Sequence, residues 1–166
     1  MIEKRGMVMK AVFSHTAEVS LKIPPETDLP GRLPQAIYRW SGLPYACQRG
    51  QDGCFLRPQP HRLGYRNSFI PEISVTVTQQ GEQTVLRLVG QPVEFVRIFM
   101  RVWFAIVFSF LLTILLTFAK TGAYTAAGIL VPLGMAVFGY LMTRIGTAVP
   151  FRQVTEAIRK EFGGAS

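Results

Sequence analysis

Hydrophobic and polar positions follow two regimes along this chain. Up to residue 96 the apolar residues come in short runs broken by proline, glycine and charge. Beyond that, residues 102–119 form an 18-residue run without a charge, and residues 122–142 form another of 21. A helix rises about 1.5 Å per residue, so either run can cross a hydrocarbon layer about 30 Å thick. Two buried core helices of a soluble protein would be the other reading. Neither run leaves a polar stripe for water, which argues against it. Only Lys120 and Thr121 separate the runs, so a tight antiparallel transmembrane hairpin is expected over 97–145, with helices at about 98–119 and 122–143.

The first 96 residues read as a small antiparallel β-rich domain. Ile73, Val75 and Val77 alternate with Ser74, Thr76 and Thr78, the period of a half-buried strand. The turn Gln79–Glu82 leads to a second strand at 84–89, which makes a hairpin. Residues 8–13 and 17–23 are rich in β-branched and apolar types and are expected to pair as another hairpin. Pro24, Pro25, Pro30 and Pro34 are expected to interrupt regular structure as far as Gln35, with a helical turn or short strand at 36–40. Residues 47–60 read mostly as loop, with a brief strand at 54–57.

The second membrane run is dotted with small residues. Gly122, Ala126, Gly134 and Gly139 are candidate helix-packing positions, because small side chains let helices approach closely. Pro132 removes one helical hydrogen bond and is a candidate kink. In the tail, 146–166, the residues Phe151, Val154, Ile158 and Phe162 follow spacings of 3, 4 and 4, as in a short amphipathic helix. That helix has two possible seats, the membrane interface and the β domain. The fold class is thus α+β, a β-rich domain followed by a membrane hairpin and a C-terminal amphipathic helix.

Charge adds an orientation. Arg97 and Arg101 precede the hairpin and Arg144 and Arg152 follow it, whereas the turn holds only Lys120. The positive-inside rule then puts both termini in the cytoplasm. Arg97, Arg101, Trp103, Arg144 and Phe151 are the candidate membrane-interface residues. The opening MIEKRGMVMK lacks the apolar core of a signal peptide. The net charge is +8, and residues 1–101 carry 13 Lys or Arg against 8 Asp or Glu. These arginines are scattered, so the anionic leaflet is a better partner for them than nucleic acid.

Candidate chemistry is sparse. Cys47, Cys54 and His61 recur every seven residues, and His15 is the other histidine. Structural zinc knuckles use a C-x2–4-C spacing, which Cys47 and Cys54 do not have, so neither a metal nor a cofactor is expected. A cytoplasmic setting leaves the two thiols reduced. The chain contains no G-x-S-x-G, H-E-x-x-H, P-loop or G-x-G-x-x-G, and an enzyme is not expected.

The segment GYRNSFIPEISVTV, 64–77, has two readings. Asn67 and Ser68 suit a turn, with Phe69 as its core anchor and Pro71 as a strand opener. Alternatively, Tyr65, Arg66, Asn67 and Phe69 form a partner-recognition loop. Three phrases in order, Tyr65–Pro71, Phe99–Trp103 and Pro132–Tyr140, resemble a loose group of small uncharacterised bacterial membrane proteins. The resemblance covers about residues 54–150 and implies a multi-pass protein of the bacterial inner membrane with a cytoplasmic β domain. It carries no activity. The expected role is a non-enzymatic, membrane-anchored interaction or assembly subunit of a larger complex. Its partners would be the lipid bilayer and a protein partner or further copies of itself. The alternatives are an immunity or sensing protein that neutralises a toxin, and a lipid- or small-ligand-binding module.

Overall fold

The fold comes from a computed structural model that describes residues 13–21, 27–50, 53–59, 69–80, 83–122 and 126–163. They form five strands, β1 (His15–Leu21), β2 (Tyr45–Gly50), β3 (Gly53–Pro58), β4 (Glu72–Gln80) and β5 (Gln83–Gln91), and three helices, α1 (Leu29–Ser41), α2 (Glu94–Thr121) and α3 (Ala126–Phe162). The chain divides into two compact units. One comprises Met1–Val93 with Gly146–Ser166, the other Glu94–Ile145.

In the first unit the strands make one antiparallel sheet of order β1-β5-β4-β3-β2. The alternation at 73–77 does what period 2 requires. Ile73 and Val75 are buried and Thr76 is exposed, and the β4–β5 hairpin pairs Val75 with Leu88 and Val77 with Leu86. β1 pairs with β5, with Ala17 opposite Leu88, and the expected hairpin with 8–13 falls on residues of which 8–12 lie outside those described. One other expectation needs correction. The stretch 47–60, read mostly as loop with a brief strand at 54–57, holds most of β2 as well as β3, which contains that strand, and the two form a hairpin that pairs Cys47 with Leu56. Its glycines, Gly50 and Gly53, face each other at the turn end instead of breaking the strands.

The proline-rich stretch is also more regular than its composition suggests. Asp28 caps α1 by accepting from the Gly31 N–H at 3.3 Å. Pro30 falls in the first turn, where no intrahelical donor is needed, so only Pro34 costs the helix a bond. The cost is offset by burial of Leu29, Leu33, Ala36 and Ile37, spaced as one helical face. Gly42 ends α1 with φ +70° and its N–H on the Tyr38 carbonyl at 2.9 Å, a left-handed cap that suits glycine. Pro24 and Pro25 lie outside the described residues.

The expected separate tail helix is instead the continuation of α3, which runs unbroken past Pro132 and Pro150. Its Phe151, Val154, Ile158 and Phe162 join α1 and the inner sheet residues in a single core. One face of the sheet is thus covered by α1 and the end of α3. Along the other, Thr16, Glu18, Thr76, Arg87 and Arg57 meet solvent.

The second unit contains α2 and the first part of α3. Both helices are long and apolar enough to span a membrane. Inside it, the Trp103 indole donates to the Met135 carbonyl at 3.4 Å. A Cβ on Gly139 would lie 2.8 Å from Trp103 Nε1, so this glycine is where the two helices approach. Gly134 has open space around it, and Gly122 terminates α2 with φ +66°. Ala126 is the first residue of α3, and its side chain lies outside the description.

Candidate functional site

The first unit has a mostly sealed core, and its accessible chemistry gathers where α1 meets β2. Pro34, Gln35 and Tyr38 of α1, Pro44 and Tyr45 at the start of β2, and Gln59 after β3 line a cleft of about 370 Å³. The Gln59 N–H donates to the Pro44 carbonyl at 2.9 Å, which ties the two chain segments together at its base. Tyr45 is buried, and its hydroxyl donates to the Pro71 carbonyl at 3.0 Å. Desolvation pushes that phenol well above its ordinary 10.0, so Tyr45 supplies a neutral wall rather than an acid. With two amides, aromatic rings, prolines and no charged side chain among the described residues of the lining, the cleft suits an uncharged ligand segment.

Beside the cleft, α1 exposes Tyr38 (60%) and Trp40 (50%), the large aromatics that this unit leaves open to solvent among the described residues. Trp40 is held rather than loose. Its indole donates to Glu161 Oε2 at 2.8 Å, Arg39 reaches the same carboxylate at 3.0 Å, and Lys160 lies 5.5 Å from the ring centre. An exposed indole fixed in this way suits an interaction surface, because little rotamer freedom remains to be lost on docking.

Of the recognition loop expected from the sequence, Tyr65, Arg66 and Asn67 lie outside the described residues. Phe69 is half-buried, and its ring lies against Gly146, where an added Cβ would come within 2.9 Å of it. Among the membrane-interface candidates, Arg101 and Arg144 are exposed, and Trp103 packs against Phe99 with ring centres 6.3 Å apart. Arg97 buries its Nε with no hydrogen-bond partner among the described residues. Phe151 is the exception. It is 7% exposed in the sheet core, stacked on His15 at 5.7 Å, because the apolar face of the tail is covered by the sheet.

The sulfur and imidazole groups are divided by topology. His15 and Cys47 fall in one row of the inner face, through Gly90, Ile73 and Leu56, but on opposite edges of the sheet. Four strand spacings put them roughly 19 Å apart, too far for a nucleophile–base pair or a shared metal. His15 instead shares a 3.0 Å hydrogen bond with the Thr147 hydroxyl. Among the described residues, no three His, Cys, Asp or Glu groups converge as a metal site, and His61 lies outside them.

Comparison with known proteins adds no assignment. The chain matches no family model, no curated protein and no solved structure.

In sequence, 36–40 reads only as a helical turn or a short strand, so the aromatic surface on α1 is not visible there. The available signal was the spacing of Leu29, Leu33, Ala36 and Ile37, which puts Tyr38 and Trp40 off the buried face once a helix is granted.

Proposed function

We propose that this protein is a non-enzymatic, membrane-anchored interaction module, a subunit of a bacterial inner-membrane complex. Its α2–α3 hairpin spans the bilayer and its sheet domain engages a protein partner. The observation that carries the reading is bare apolar surface. Only 6% of the most apolar window in α2, and 17% of that in α3, is buried within the protein. Core helices of a soluble protein would be covered, whereas Phe95, Phe108 and Phe110 are each at least 65% exposed. Leaving such side chains in water costs about 1.5–3 kcal/mol each, which a lipid environment removes.

Charge supports the same reading. Arg97 and Arg101 near the start of α2 and Arg144 late in α3 contrast with the lone Lys120 at the turn. This favours a cytoplasmic sheet domain. Tyr38 and Trp40 then supply the docking surface for the partner. A second reading, in which the sheet domain binds a small uncharged ligand, is favoured by the cleft beside them.

Membrane flotation followed by an alkaline carbonate wash tests the anchor, and the protein is expected to stay with the lipid. Release by carbonate would remove the hairpin from the membrane. A photo-crosslinking residue at Tyr38 or Trp40, introduced in the native host, tests the docking surface. The expected product is one discrete adduct in fixed ratio. A crosslink pattern no different from that at exposed Thr76 would sink the partner assignment.

A further inference from the structure

The chain has two cysteines, and the fold brings them together. In the β2–β3 ladder Cys47 stands opposite Leu56 and Cys54 opposite Arg49. Residues opposite one another share a face, and the side-chain period is 2, so both thiols project from the inner face one diagonal step apart. Neither is engaged in a disulfide. The environments differ. Cys54 is buried at 5% exposure, while Cys47 lies partly exposed on β2, an edge strand of the described sheet.

We propose that Cys47 and Cys54 form a reversible dithiol–disulfide site, with Cys47 as the entry thiol and Cys54 as the resolving one. The oxidant is a low-molecular-weight disulfide such as oxidised glutathione. The Cys47 thiolate attacks one of its sulfurs, the small-molecule S–S bond breaks, and one thiol leaves with the electron pair. Cys54 then gives its proton to solvent and attacks Cys47 Sγ, expelling the second small thiol. Two protein thiols are oxidised and one disulfide is reduced to two thiols, which balances hydrogens and electrons. Burial, reinforced by the neighbouring Cys47 thiol, pushes the Cys54 thiol up, consistent with Cys47 reacting first.

Diagonal neighbours in a ladder have Cα atoms about 7–8 Å apart, slightly beyond the usual disulfide range of about 4.4–6.8 Å. Closing the bond therefore draws the two strands together locally. β2 is bonded to β3 on one side only, so it is the strand that yields. Tyr45 lies two residues before Cys47 on that strand and lines the cleft, so oxidation adjusts the cleft wall.

The test uses the full chain in detergent, equilibrated with mixtures of oxidised and reduced glutathione and read by intact mass and thiol alkylation. The wild type is expected to lose two hydrogens, keep no glutathione, and return to the dithiol on reduction. Cys54→Ser should hold a glutathione adduct on Cys47. Cys47→Ser should react at least about tenfold more slowly through its buried thiol. A wild type that stays reduced, retains a glutathione adduct or crosslinks between chains overturns the proposal, as do equal rates in the two variants. The wild-type measurement stands alone, so a variant that fails to fold does not decide the outcome.

Discussion

At the scale of single residues, Gly90 and Tyr45 show how closely the domain is fitted. Gly90 lies on β5 under the ring of Phe151, and a Cβ there would collide with that ring's Cδ2 and Cε2 atoms. Gly90→Ala should therefore cost about 1–3 kcal/mol in a chemical unfolding curve, the usual range for overpacking. Gly90→Ala combined with Phe151→Leu should recover part of that loss, and purely additive effects would place the collision elsewhere. Tyr45 ties β2 to the Pro71 carbonyl. Tyr45→Phe should cost about 1 kcal/mol at neutral pH. The buried phenol favours its protonated form, so its contribution is full below the ordinary 10.0 and is lost as pH rises above it. The gap in stability between wild type and Tyr45→Phe should then shrink in alkali. A gap that widened would reverse the sign of this argument.

At the scale of elements, α1 depends on Asp28. Its carboxylate caps the helix through the Gly31 N–H and pairs with Arg49 on β2 at 3.0 Å. Both partners of the ion pair are more than half exposed, so it adds little, and the cap carries the effect. Asp28→Ala is expected to lower stability by about 1 kcal/mol, and Asp28→Asn, which still accepts from the N–H, should stay near wild type in the same urea titration. If the two variants lose equally, the ion pair rather than the cap holds α1.

The same helix marks what could be read from the chain beforehand. The β4–β5 hairpin was legible, because one face is buried and one is wet, and such strands write period 2 into the sequence. The apolar face of the tail was equally clear in Phe151, Val154, Ile158 and Phe162. What covers that face was not, since amphipathicity names no partner. The first half of α1 and all of β2 stay hidden, because proline and glycine count as breakers in sequence, whereas β3 shows as the brief strand expected at 54–57. Here Pro30 sits in the first turn of α1 and Gly50 and Gly53 at the end of a hairpin, where they cost little, and only Pro34 lies inside the helix. The aromatic surface and the thiol pair were illegible for a related reason, as both depend on long-range packing or register.

At the scale of the whole molecule, the unusual feature is that the sheet domain is discontinuous in sequence. Its last strand ends at Gln91, yet Phe151, Val154, Ile158 and Phe162, sixty residues or more further on, complete its core. A chain cut at residue 93 lacks these side chains and should fail to fold, exposing the apolar faces of β4 and β5. By contrast, no described residue of 94–145 belongs to that core cluster. Gly90 touches Phe151, so the two ends of the excised segment can be rejoined by a flexible linker of about ten residues, which reaches up to about 35 Å. The linked protein, residues 13–93 joined to 146–163, is expected to be soluble without detergent and to unfold cooperatively. Residues 13–93 alone should show no such transition in far-ultraviolet circular dichroism. If that shorter piece unfolds with the same midpoint as the linked protein, the end of α3 is a surface attachment rather than part of the domain.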